Sequence, residues 1–408
     1  MQSLSAYDLI LLGCATVFLS YVFSLVSRWT RVPSVLLLLG IGIGLRAVLE
    51  IYHVLLRVPP VLVELLGTVG LIMIVLEAGL DLEVKRSRLP MVQRALLSAL
   101  AVLLLSTFGV GSILWAWLPE ATFRECLVYG VTLGVVSSAI VLPSVHHLSE
   151  SKRDFLIYEA AFSDVLGIMF FNFLATEASI EASSLVWLVG SVPLALVLSV
   201  AICLGLLLLL VKSRINVKFF LIFAVLLTVY IAGKKLGLPS LLTILMFGLV
   251  VNNWTSLKGV PLKAWFPNEA IQETSTLLKS ITGETSFLIR TFFFVIFGMH
   301  IDVGLLANIH VWALGLLIVA TLLLARFFYL RLVLRGEELL PGLFYIPRGL
   351  ITVLLFFKIP SSLQLASFDE GILFFVVLAT NVILMVASLL YRDRPVALGS
   401  QTGSNTGI

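Results

Sequence analysis

Apolar runs near the length needed to cross about 30 Å of hydrocarbon follow one another along almost the whole chain. They are centred roughly on Leu19, Ile41, Leu71, Leu104, Val135, Phe170, Leu198, Leu226, Leu245, Val295, Leu317, Ile351 and Val376, about thirteen in all, or twelve if a weak pair forms one helix. Such a succession leaves an all-α polytopic membrane protein as the fold class. Of the 408 residues, 60% are hydrophobic and 12% charged, and the mean hydropathy is +1.11. A soluble fold is thereby excluded.

The count is tested by sorting Lys and Arg between the two faces with the N-terminus outside. Eighteen of the 27 basic residues then fall on cytoplasmic connections, among them Lys85, Arg86, Arg88 and Arg94 together, and six fall outside. The alternation supports thirteen spans with the C-terminus inside, in the plasma (cell inner) membrane. Arg290, Arg326 and Arg348 lie within apolar runs and need a structural or functional reason. The formal charge of +4 thus reflects topology, and the dispersed basic residues exclude a nucleic-acid partner.

Cys14, Cys126 and Cys203 lie in or beside different helices without metal-ligand spacing, and read as packing residues. The N-terminus lacks a basic region and a small-residue cleavage site, so the first helix is expected to stay as an uncleaved anchor. Residues 1–394 form the transmembrane domain, and the polar, Gly/Ser-rich stretch 395–408 reads as a short disordered cytoplasmic tail. The amphipathic stretch from Thr255 to Ser280 reads either as a cytoplasmic surface helix or as a long loop.

Two spans carry residues ill suited to a continuous helix. The fifth contains GVVSSAIVLPS, with Ser137, Ser138 and Pro143, and the twelfth contains LFYIPRGLITV, with Pro347, Arg348 and Gly349. One runs inward and the other outward, and each break falls near mid-depth. Paired interrupted helices of opposite direction at corresponding places in two halves mark an inverted-repeat transporter with two broken, crossing helices.

The sixth span, YEAAFSDVLGIMFFNFL, carries Asp164 eleven residues past Arg153, about 16 Å deep at roughly 1.5 Å per residue. An acid at the bilayer midplane is costly and marks an ion pathway or proton relay. Either a proton or a cation relieves that cost, and a carboxylate that takes one or the other is the minimum machinery of antiport. Ser137, Ser138 and Ser163 offer neutral oxygens, and the freed backbone of the two breaks reaches the same depth. An Asp164 paired permanently with Arg348 or a backbone nest is the alternative.

Glu159 in the sixth span and Arg326 in the eleventh lie at matching depth, which reads as a structural ion pair. Arg348 offsets helix-end dipoles, repels cations from the wrong side, or pairs with Glu284. Glu77, in LIMIVLEAGLDL of the third span, lies beside the ion entrance or snorkels to the interface. His300, Asp302 and His310 fall at the outer face, and His146 and His147 at the inner edge of the fifth span, where either a solvated or a pH-sensing role is open. Arg290 has no assignable partner.

The runs VLEAGLDLE, SSAIVLPSV, YEAAFSD, FFFVIFGMHID, ARFFYLR and YIPRGLITV, spread over residues 60–360, resemble the monovalent cation:proton antiporters of the NhaP and NHE type. The resemblance implies the NhaA-like antiporter fold, Asp164 as the exchanging carboxylate, Glu159 and Arg326 as a stabilising pair, and Arg348 at the crossing. It also implies a homodimer, with interface helices over about 7–82 and 184–301 and a moving core over about 90–178 and 307–391. The chain departs from the NhaP pattern. Ser163 precedes Asp164 where Asn is usual, Ser137, Ser138 and Ala139 replace Thr-Asp-Pro, and Ala160 replaces a Ser. The SSAIVLP run looks Kef-like.

The expected function is proton exchange for a monovalent cation, sodium first with potassium and lithium open, by alternating access, and electroneutral because a single carboxylate exchanges. Cation, proton and membrane lipid are the expected partners, and no cofactor is called for. LLLGIGIGLRA, the one short Gly-rich stretch, suits helix packing rather than phosphate binding. The alternatives are a Kef-like efflux pathway, a degenerate sensory member, and an intramembrane enzyme using Glu159 and Asp164. Five residues place those two about 140° and about 7.5 Å apart, which suits no shared substrate proton.

Overall fold

The computed structural model describes residues 6–30, 32–52, 60–82, 88–176, 218–235, 240–254, 268–301, 303–333 and 339–391, with isolated positions between 190 and 205. The expected seventh span, most of the connections and the C-terminal tail lie outside the described residues. The helices are α1 (Ala6–Thr30), α2 (Ser34–Ile51), α3 (Pro60–Asp81), α4 (Leu89–Trp117), α5 (Phe123–Gly134), α6 (Ser138–Ser144), α7 (Glu150–Thr176), α8 (Lys218–Lys235), α9 (Ser240–Asn253), α10 (Asn268–His300), α11 (Ile309–Val333), α12 (Leu350–Phe357) and α13 (Glu370–Leu390). Among the described residues, seven spans are long and apolar enough by themselves to cross a bilayer, α5 and α6 counting together as one.

The helices pack as two sets. In one, α2 and α3 pack on α10, α3 also on α9, and α1 on α2. In the other, α4 packs on α5, α7 and α11, α11 on α13, and α5 on α7 and α12. Between lipid-borne helices hydrophobic association adds little, so close approach over small residues must supply the contact. A Cβ on Gly42 of α2 would stand 2.3 Å from the Val295 carbonyl oxygen of α10, and one on Gly79 of α3 would stand 2.6 Å from that of Leu245 in α9. Neither helix pair could close this far around a larger residue.

Two residues set where α5 begins. Thr122 Oγ1 accepts from the Glu125 N–H at 3.3 Å while Glu125 Oε2 accepts from the Thr122 N–H at 2.9 Å, a reciprocal capping box. The helix ends at Gly134, and Val135 and Ser137 take extended conformations before α6 resumes the span. The twelfth span is likewise interrupted. A 3₁₀ turn over Gly342–Phe344 leads into a non-helical stretch from Tyr345 to Gly349, and only then does α12 begin.

The tenth span is longer than the sequence suggested. From Asn268 the amphipathic stretch ending at Ser280 is continuous with it, in a single 33-residue helix, while residues 255–267 lie outside the described set.

Candidate ion-binding site

A broken helix frees backbone donors and acceptors that hydrocarbon cannot satisfy, and the three successive N–H groups at the first break each find a partner. The Val136 N–H donates to Ser163 Oγ at 2.9 Å, the Ser137 N–H to the Pro347 carbonyl at 3.0 Å, and the Ser138 N–H to Asp164 Oδ2 at 3.1 Å. The Ser137 bond joins the two breaks directly, backbone to backbone. Gly349 allows it, since a Cβ there would stand 2.5 Å from Ser137 Oγ and 2.9 Å from Ser137 Cβ.

The second break is held from α13. The Arg348 N–H donates to Thr380 Oγ1 at 3.1 Å, and Asn381 Nδ2 donates to the Arg348 carbonyl at 2.8 Å. Ser163 and Asp164 on α7 therefore do for the first break what Thr380 and Asn381 on α13 do for the second. Sequence reasoning missed Thr380 and Asn381. The available signal was a Thr-Asn pair in the middle of the run FFVVLATNVILMV, matching the Ser-Asp pair of the sixth span.

Asp164 is 3% exposed. Its Oδ2 accepts from both the N–H and the hydroxyl of Ser138, whereas Oδ1 has no hydrogen-bond partner among the described residues. Ser137 Oγ is also buried without a partner there. The three serines thus differ: Ser138 orients the carboxylate, Ser163 holds the break, and Ser137 lies at the crossing.

Arg348 is fully buried, and its guanidinium has no hydrogen-bond partner among the described residues. Glu284, the partner considered for it, instead accepts from Tyr21 Oη at 2.7 Å. Asp164 bonds to Ser138 and not to Arg348. Pro143, expected with the first break, lies inside α6. The break is made upstream by the extended residues that Ser163 and Pro347 hold, and a proline removes only a single helical donor.

Glu159 and Arg326 meet. Arg326 Nη2 lies 2.7 Å from Glu159 Oε2 and Nη1 lies 3.2 Å from Oε1, with 0% and 3% of the two side chains exposed. Ser98 donates to Glu159 Oε1, and Arg326 Nε donates to the Gly342 carbonyl at 2.7 Å. The pair therefore ties α4, α7 and α11 to the start of the second broken segment.

Glu77 is half-buried, and Arg290 Nη2 of α10 lies 3.3 Å from its Oε1, the partner that Arg290 lacked in sequence. The two line a cavity of about 20 Å³, room for one water, together with Asp81 and Ser138. Asp81, at the end of α3, is exposed, and Ser138 is the serine that holds Asp164. His147 Nε2 lies 3.3 Å from Tyr345 Oη, and His146 lines a neighbouring cavity. His300 Nδ1 lies 2.8 Å from the Ile296 carbonyl, and Asp302 lies outside the described residues.

The fold is similar to that of solved structures. The sodium proton antiporter MjNhaP1 from Methanocaldococcus jannaschii at pH 8 superposes with a TM-score of 0.67 at 17% identity, covering 93% of this chain and 95% of that one. A second structure of that antiporter, from electron microscopy, gives 0.67 and 17% over 95% and 96%. Among curated proteins there is no match. Residues 14–390 match the family described as sodium/hydrogen exchanger, transmembrane, and the chain belongs to that family.

Proposed function

We propose that the protein exchanges protons for a monovalent cation, sodium first, through Asp164. The observation that carries this reading is the split use of the carboxylate: Oδ2 is fixed by Ser138, while Oδ1 is buried with no protein partner among the described residues. A buried anionic oxygen in that position is stabilised by a proton or by a small cation. The proton-loaded and cation-loaded sites carry the same charge and the unloaded site carries one less, which supports electroneutral one-for-one exchange.

Ser137 Oγ at the crossing is the neutral oxygen nearest in role to a cation ligand, and Pro347, Arg348 and Gly349 build the crossing that presents it. Glu159 and Arg326 stabilise the core. The cavity past Glu77 is the ion entrance, on the cytoplasmic side in the topology with the N-terminus outside. The set α4–α7 with α11–α13 moves against α1–α3 with α8–α10, and the latter set forms the interface of a homodimer in the plasma (cell inner) membrane.

A Kef-like efflux pathway is the second reading. It is favoured by Ser163 Oγ accepting from Val136, which leaves fewer neutral oxygens for a cation. The test is proton movement in proteoliposomes with a lumenal pH dye, challenged with sodium, lithium and potassium, beside Asp164→Asn. Saturable, cation-dependent alkalinisation that vanishes in the variant is expected. Cation flux that neither saturates nor moves protons selects the efflux pathway, and exchange that depends on membrane potential refutes electroneutrality.

A further inference from the structure

Pro143 has no N–H to offer the carbonyl four residues before it, so the Ala139 oxygen of α6 lacks its helical donor. Arg290 takes that place from α10, with Nη1 3.4 Å from the Ala139 oxygen. The same guanidinium reaches Glu77 Oε1 of α3 at 3.3 Å, and its Nε donates to the Ser286 carbonyl of its own helix at 3.2 Å. One side chain thus joins α3 and α10, which belong to one helix set, to α6, which packs on α7 of the other.

Its surroundings give that bridge a purpose. Ala139, Leu142 and Arg290 line both the small cavity that Asp81 and Ser138 also line and a second cavity of about 190 Å³ lined by Ser20, Ser24 and His146. The guanidinium therefore stands on the approach to the serine that holds Asp164. Its bonds are also weak ones. Charge-assisted contacts of this kind close to about 2.7–2.9 Å when tight, and the Arg290 and Glu77 side chains keep 17% and 15% exposure, unlike the sealed Arg326 pair.

We propose that Arg290 is a tethered cation that closes the vestibule to Asp164: bound to Glu77 and Ala139 it clasps α6 against α3 and α10, and an arriving monovalent cation displaces it from Glu77 and releases α6. Arg290 is a positioning residue that does not touch the ion at Asp164. The inference rests on the antiport reading, because it concerns how a cation reaches that carboxylate.

The clasp is read by thiol labelling of Leu142→Cys in a chain whose Cys14, Cys126 and Cys203 are changed to Ser, using a membrane-impermeant maleimide with and without sodium, lithium or potassium. Cation is expected to speed labelling while Arg290 is present. Arg290→Gln is expected to label faster without cation, by up to about fivefold as befits a partly exposed ion pair, to lose the cation effect, and to lower the cation KM more than it changes kcat. Arg290→Lys is expected to restore the cation effect in part. Glu77→Gln, which removes the carboxylate and keeps the guanidinium, provides the same labelling readout should Arg290→Gln fail to fold.

Equal labelling rates and equal cation effects in the parent and in whichever of these variants folds would overturn the clasp, while intact exchange kept the antiport reading. Cation-sensitive, Arg290-dependent labelling without proton movement in the wild type would do the reverse.

Discussion

Arg326→Met is the perturbation whose cost the structure defines most fully. Arg326 is fully buried, bridges both Glu159 oxygens at 2.7 and 3.2 Å, and donates a further bond of 2.7 Å to the Gly342 carbonyl. Methionine fills much of the same volume and leaves the buried Glu159 carboxylate, among the described residues, with Ser98 as its one remaining donor. Breaking a buried pair by removing one partner costs about 3–5 kcal/mol, and the abandoned Gly342 carbonyl adds about 1–3 kcal/mol where water does not reach it. The folded-to-unfolded ratio is then expected to fall by at least about a hundredfold. The assay is the fraction remaining monodisperse after heating in detergent, compared among wild type, Arg326→Met, Glu159→Gln and the double variant. Because the double variant buries no lone charge, it is expected to be more stable than Arg326→Met alone. A single variant as stable as wild type, or a double variant no better than Arg326→Met, refutes the reasoning.

Gly349→Ala is expected to abolish exchange by forcing apart the backbone crossing at Ser137, where the added Cβ would lie 2.5 Å from Ser137 Oγ, read as lost cation-dependent alkalinisation in the proton-movement assay. Thr380→Val is expected to leave the Arg348 N–H unpaired at a cost of about 1–3 kcal/mol, read as a lowered unfolding temperature with the protein still folded. Gly42→Ala places a Cβ 2.3 Å from the Val295 carbonyl oxygen, so α2 and α10 must separate. About 1–3 kcal/mol of stability is expected to be lost, and an unchanged unfolding temperature would show that the two helices are not packed this closely.

What could be read from the chain alone was what hydrocarbon penalises. Asp164, Glu159 and Arg326 stood out because an ion in lipid demands a reason, and matching depths were enough to pair Glu159 with Arg326. The same logic left Arg348 open among helix-end dipoles, cation repulsion and a pair with Glu284, because depth does not encode which face of a helix a side chain takes. Glu284, the partner in the last of these alternatives, accepts from Tyr21. Arg290 and Glu77 escaped pairing for the same reason, since they meet only through the packing of α3 on α10. Pro143 was placed at the break because proline is the strongest helix breaker in sequence. The chain opens earlier, where Ser163, Pro347 and Asp164 accept from the freed donors.

The deeper miss concerns neutral polar residues, and it explains why the inverted repeat was legible only by halves. A Thr or Asn in a transmembrane helix carries a small enough penalty to pass as packing, so Thr380 and Asn381 gave no signal against the apolar run around them. In the fold they are the counterparts of Ser163 and Asp164. Each pair sits on the helix that follows a break, with the hydroxyl accepting from the break's freed N–H and the second residue binding the adjoining backbone. The two halves therefore share the placement of these pairs and differ in the second bond, since the Asp164 carboxylate accepts from the Ser138 N–H whereas the Asn381 amide donates to the Arg348 carbonyl. An amide can donate to a carbonyl but does not exchange a proton, whereas a carboxylate takes up and releases a proton and donates only when protonated. On this reading Asn381→Asp would place a second exchanging acid beside Arg348. Were the chemistry set by the acid rather than by its half of the fold, that variant on an Asp164→Asn background would regain proton-coupled exchange. Should it stay inactive while folded, the Ser138 donors peculiar to the first half must be part of the site.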